Sequence, residues 1–268
     1  MESKILIHNE SQISYSVQGS GPAVVFLHGY LETKEVFESL LLHFSANYRC
    51  VAIDLPGHGS SGCTHESLTM SEMADCVIRV FDELNIKDAA VVGHSMGGYV
   101  ALEFAASYGP RVSGLCLFHS SPFADTDEKR VAREREKDIA RQNRQELIYK
   151  NHFPKTFAAN RVDEFGERIE TLKVNALQMK PVGIIGALNA MQQRKNYVGW
   201  LEQFDKPFLY ILGESDNFIP LSILDKIMMP ASGKSVVLKN TGHMGFWEAL
   251  DEVVLALGLF FNSCYSAQ

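Results

Sequence analysis

Four apolar runs near the front of the chain, each closed by turn residues, limit the folds available to it. They read "AVVFLHG", "YRCVAIDLPG", "DAAVVGHS" and "VSGLCLFHSS". They are continuous rather than alternating, as expected of strands buried on both faces of a parallel sheet. Between them, "TKEVFESLLLHFS" and "LTMSEMADCVIRVFDEL" carry apolar residues at helical spacing. Strand and helix in alternation predict an α/β fold with a parallel sheet. "KILIH" and "QISYSVQG" before them read as an opening hairpin. With 268 residues, 46% of them hydrophobic, the chain can bury one sizeable core.

The rhythm breaks after Phe118. From Asp125 to Lys195 no strand-like run occurs. "DEKRVAREREKDIARQNRQELIYK" is charged and helix-forming, with Val131, Ile139, Leu147 and Ile148 as its expected apolar contacts. "RVDEFGERIETLKVNALQM" and "PVGIIGALNAMQQRK" read as further helices, the latter opening on Pro181. Strands resume with "KPFLYILGESD" and "KSVVLKNTGH", and a helix closes the chain. The expectation is one core domain, residues 1–124 and 196–268, interrupted by a helical insertion at 125–195.

Charge narrows the partners. The net charge is −7, with acids and bases scattered and no basic stripe, so nucleic acid is not expected. The opening "MESKILIHNE" lacks the apolar segment and cleavage site of a signal peptide. The apolar "VVLALGLFF" falls short of the roughly 18 residues of a membrane span. Five cysteines, without C-x-x-C spacing, point to a reducing cytoplasm and away from a metal site. The expected partner is a small molecule.

"GHSMG" carries the chemistry. It fits G-x-S-x-G at Gly93, Ser95 and Gly97. A tight strand-to-helix turn holds such a serine in a strained backbone conformation, so residues two away must lack bulk. The turn presents the hydroxyl at the carboxyl edge of the sheet, beside free N–H groups of a helix start. A serine hydroxyl needs a base, and the base needs an orienting acid. His243 follows the last strand and Asp216 the strand before it, so both fall on loops at the same edge. Asp125, past the sixth strand, is a rival acid, although "DNFIP" at Asp216 matches better. His94 and His119 are expected to pack or to support other site residues. The glycine-rich "PGHGSS" lacks the lysine of a phosphate-binding loop.

In order along the chain, "FLHGY", "DLPGHGSS", "GHSMGG", "GESDNFIP" and "TGHMGFWE" resemble the α/β-hydrolase fold family, within it the esterases, enol-lactonases and cofactor-free haloperoxidases. The resemblance covers nearly the whole chain and is least specific in the insertion. It implies an eight-stranded, mostly parallel sheet with helices on both faces and a helical lid after the sixth strand. It also implies nucleophile Ser95, acid Asp216 and base His243, an oxyanion hole from the backbone N–H groups of Tyr30 and Met96, and no cofactor or metal. The expected reaction is serine hydrolysis of a carboxylic ester, thioester or lactone. Carbon–carbon bond hydrolysis and perhydrolysis would use the same three residues, and a ligand sensor could retain them. Ser95 speaks against dehalogenase and epoxide-hydrolase chemistry, in which relatives use aspartate at this position. Ile184, Leu188 and Met191, in "PVGIIGALNAM", are the expected pocket wall.

Overall fold

A computed structural model describes residues 3–8 and 11–265. Its strands are β1 (Ser3–His8), β2 (Ser11–Gln18), β3 (Ala23–Leu27), β4 (Arg49–Ile53), β5 (Ala89–His94), β6 (Val112–Phe118), β7 (Phe208–Gly213) and β8 (Gly233–Leu238). They form one sheet in the order β1-β2-β4-β3-β5-β6-β7-β8. The opening hairpin is antiparallel, β2 is antiparallel to β4, and every other pairing is parallel. Every residue of β3, β5 and β7 is buried, which explains why those segments read as unbroken apolar runs.

Helices α1 (Glu38–Phe44), α2 (Met70–Glu83) and α3 (Met96–Ser107) connect the parallel strands. α2 begins at a reciprocal cap: the Thr69 side chain accepts from the Glu72 N–H, and the Glu72 carboxylate accepts from the Thr69 N–H. The chain steps from β3 to β4 on one side, while β5 lies on the other. Strand order therefore reverses beside β3, and the carboxyl ends of β3 and β5 stand at the switch point where open α/β sheets bind ligands. Leu27 pairs with Gly93, so the two strands end level.

Between β6 and β7 lie α4 (Asp127–Arg141), α5 (Glu146–His152), α6 (Gly166–Leu177) and α7 (Pro181–Gln192), followed by α8 (Val198–Glu202). The short α9 (Gly245–Glu248) and the longer α10 (Leu250–Tyr265) follow β8. Among the described residues no helix is long and apolar enough to cross a membrane.

One expectation about the helices between β6 and β7 fails, while Ile148 is buried and Ile139 packs against the core. Val131, expected as an apolar contact, is 50% exposed. The inner face of α4 also carries a cation: Lys137 is buried beside Ala140, and its ammonium donates to Asn189 Oδ1 (2.7 Å) and Gln192 Oε1 (2.8 Å) on α7. Apolar spacing alone could not find a helix face held by hydrogen bonds.

Candidate active site

β5 ends at His94, and Ser95 turns the chain into α3 with φ 50° and ψ −115°. A non-glycine residue at positive φ is strained and must be held by its surroundings. Here the Ser95 N–H donates to the Phe118 carbonyl (3.0 Å), and the Ser95 carbonyl accepts from Gly98 N–H (3.0 Å) and Ser120 Oγ (2.7 Å). The glycines are steric requirements. A Cβ on Gly93 would overlap the Gly97 carbonyl, and one on Gly97 would overlap the Leu27 carbonyl. Ser95 remains partly exposed between buried His94 and Met96. Met96 opens α3, and a first-turn N–H has no acceptor inside its own helix.

His243 lies between β8 and α9. Its loop is held from two sides. The His243 N–H donates to the Thr156 carbonyl of the insertion (2.6 Å), and the Glu248 carboxylate accepts the N–H groups of Gly242 (3.0 Å) and Ala158 (2.9 Å). The ring Nδ1 of His243 lies 2.8 Å from Asp216 Oδ2. The other Asp216 oxygen accepts the N–H groups of Phe218 (2.8 Å) and Ile219 (3.1 Å).

His119, at the end of β6, also directs Nδ1 at Asp216 Oδ2, at 3.0 Å. One carboxylate oxygen thus serves two imidazoles. Burial alone would raise the Asp216 carboxyl, but His243, then the hydrogen bonds from both histidines, hold it far below the usual carboxylate range. Burial pushes His119 down to about 4, against the pull of Asp216. His119 is therefore a neutral donor at physiological pH.

The rival Asp125 has other partners. Its carboxylate binds Arg133 and Arg194, and the Arg194 guanidinium stacks 4.0 Å over the Tyr99 ring. Burial would raise it, yet Arg133 and Arg194 keep it low. Of the two acids, Asp216 is the one hydrogen-bonded to His243.

Several neighbours of the site carry no signal in the sequence reading. His152 of α5 sets its ring 5.8 Å from Tyr30 and 5.1 Å from Phe218, whose own ring is 5.0 Å from His243. Burial, with His243 nearby, lowers His152 to about 4. Burial raises the Tyr30 hydroxyl, and the Glu136 carboxyl of α4 adds to the rise. The insertion thus brings polar groups toward Tyr30. Ile184 and Leu188 are fully buried and Met191 nearly so, on a helix whose Gly183 touches Gly57 and whose Gly186 faces Leu68.

His119, Asp216 and His243 also bring potential ligand atoms within 4.8 Å of one another, the one such metal-capable group among the described residues. Both Nδ1 atoms, however, engage the same Oδ2, and Oδ1 takes two backbone N–H groups. Asp216 therefore spends both oxygens on partners within the protein, while His119 Nε2 is buried without one.

Comparison with known proteins agrees with this architecture. A family profile described as the alpha/beta hydrolase fold matches residues 22–250. The Magnesium-chelatase 30 kDa subunit of Rhodobacter capsulatus is 30% identical over 218 residues, covering 76% of this chain and 74% of that protein. Human monoacylglycerol lipase ABHD6 is 34% identical over 125 residues, covering 44% of this chain and 36% of the lipase. Against several curated relatives the match spans less than half of the relative's length. A thermophilic esterase from Thermogutta terrifontis superposes with a TM-score of 0.92 at 22% identity, covering 99% of this chain and all of the other. The chain belongs to the α/β hydrolase fold family.

Proposed function

We propose that this chain is a serine hydrolase that cleaves a carboxylic ester, thioester or lactone of a small molecule. The observation that carries the reading is the strained Ser95 at the carboxyl edge of the sheet, in a chain whose His243 is oriented by a buried carboxylate. Asp216 accepts from Nδ1, so the His243 tautomer leaves Nε2 free to take a proton.

In the proposed cycle, Ser95 Oγ loses its proton to His243 Nε2 as it bonds to the substrate carbonyl carbon. The carbonyl π pair becomes an oxyanion, received by the N–H groups of Tyr30 and Met96. Collapse breaks the bond to the leaving oxygen or sulfur, which takes the proton from His243. Water then gives a proton to His243 and attacks the acyl-enzyme, and Ser95 recovers its proton as the acid departs. Asp216 stays a carboxylate throughout and stabilises the histidinium. The cycle calls on no cofactor.

Residues 125–195 act as the lid in this reading. Their support is the contact of His152 with Phe218 and of Thr156 with the His243 loop. Ile184, Leu188 and Met191 form the apolar wall, in keeping with their burial.

The test is a screen of esters, lactones and diketones with wild type and Ser95→Ala. Multiple-turnover ester or lactone hydrolysis that disappears in Ser95→Ala is expected. Turnover confined to diketones would move the assignment to carbon–carbon hydrolysis, and binding without turnover would move it to sensing.

A further inference from the structure

His94, the residue before the nucleophile, is fully buried, and both ring nitrogens are engaged. Nε2 lies 2.8 Å from the carbonyl oxygen of His243. A carbonyl has no proton to give, so Nε2 carries one. Nδ1 lies 3.0 Å from Glu32 Oε2. A proton sits in that contact too, on the ring or on the carboxyl. The same Oε2 accepts the Gly29 N–H at 2.8 Å, which favours the carboxylate form.

The surroundings favour a cation on the ring. From the loop after β3, Glu32 faces His94 directly. His28, on the same loop, engages the Gly29 carbonyl through Nδ1 and accepts the Leu55 N–H at Nε2, so it is neutral. His119, after β6, lies 6.0 Å away ring to ring and is neutral as well. Asp216, after β7, is ionised. The His243 ring is 4.9 Å away, Phe118 and Phe246 pack edge-on against the imidazole, and the ring has no exposure to solvent. Burial opposes both charges, yet His94 and then the Gly29 N–H bring the Glu32 carboxyl down to about 2, and Glu32 raises the imidazole.

We propose that His94 is a standing imidazolium paired with the Glu32 carboxylate, and that these two positioning residues brace the oxyanion loop against the catalytic base. One side of the pair holds the Gly29 N–H, one residue before Tyr30. The other side holds the carbonyl of His243. The bracing role rests on the Ser95 hydrolase reading; the charge state does not.

Two measurements test it on the full chain. With 15N-labelled histidine, NMR of the ring, identified by its loss in His94→Gln, should show both nitrogens protonated from pH 6 to 8. A ring bearing a proton on Nε2 alone would overturn the charge assignment. Glu32→Gln should convert His94 to that singly protonated form. It should also lower kcat roughly 10- to 100-fold while KM moves less than about threefold, the signature of loosened geometry rather than lost binding. Wild-type kcat with His94 neutralised would overturn the bracing role. If Glu32→Gln does not fold, His94→Gln, which can still donate to the His243 carbonyl, takes its place with the same kinetic expectation. Failure of wild type to react with a fluorophosphonate at Ser95 would instead reject the hydrolase reading, leaving the NMR result to decide the charge.

Discussion

Replacing Asp216 with asparagine probes the acid at one atom. The variant keeps an oxygen to accept the Phe218 and Ile219 N–H groups, but it puts an amide NH2 where Oδ2 now accepts from two histidines. Donors would face donors. Each ring would relieve this by moving its proton from Nδ1 to Nε2. For His243 that tautomer cannot take a proton from Ser95, and kcat/KM should fall by about 10⁴-fold, as in serine proteases with the equivalent change. This loss corresponds to about 5.5 kcal/mol of transition-state stabilisation. For His119 the moved proton lands on Nε2, which is buried without a partner. An unsatisfied buried donor costs about 1–3 kcal/mol of stability. The catalytic effect should therefore exceed the folding effect. Asp125→Asn reverses the pattern: it weakens the Arg133 and Arg194 pairs and leaves His243 untouched, so stability falls while kcat/KM stays within about tenfold. Aryl-ester kinetics and urea unfolding on both variants provide the comparison. A larger activity loss in Asp125→Asn, or none in either, would refute the reasoning.

Gly97→Ala should destabilise the fold by about 2–4 kcal/mol in urea titration, because its Cβ would overlap the Leu27 carbonyl; a neutral result would mean the elbow has slack. Acidification should destabilise the protein before carboxylates titrate. Burial lowers His119 to about 4 and His58 to about 3, from 6.5. For a depressed histidine, the stability is complete above the unfolded value and lost as pH falls toward the folded one. From pH 6.5 to 5 the two together should cost about 3 kcal/mol in urea unfolding. The raised His94 acts in the window above 6.5 and does not offset this. A flat stability from pH 6.5 to 5 would contradict it. Shortening Ile184, Leu188 or Met191 to alanine, one at a time, should let at least one variant hydrolyse longer acyl esters. An unchanged chain-length profile in all three would assign α7 to packing alone.

The sheet was legible because β3, β5 and β7 are buried on both faces, and burial on both faces leaves no polar alternation to misread. The elbow was legible because strain at Ser95 demands glycine two residues away on either side. Contacts made across the fold were not. Glu32 touches His94 from 62 residues away, and nothing in "HGYLE" distinguishes it from a surface acid. Nor does the sequence around His119 reveal that its ring bonds the Asp216 carboxylate 97 residues on. On α4, Ile139 packs as its spacing suggests, but Val131 is exposed and Lys137 is buried and satisfied by α7, a pairing that helical periodicity does not encode.

The most direct test of the account is intact-mass and peptide analysis after exposure to a small fluorophosphonate. One adduct per chain is expected, on Ser95, with matching loss of esterase activity and no adduct in a folded Ser95→Ala variant. A folded wild type that stays unmodified, or a Ser95→Ala variant that still turns over esters at the wild-type rate, would contradict it.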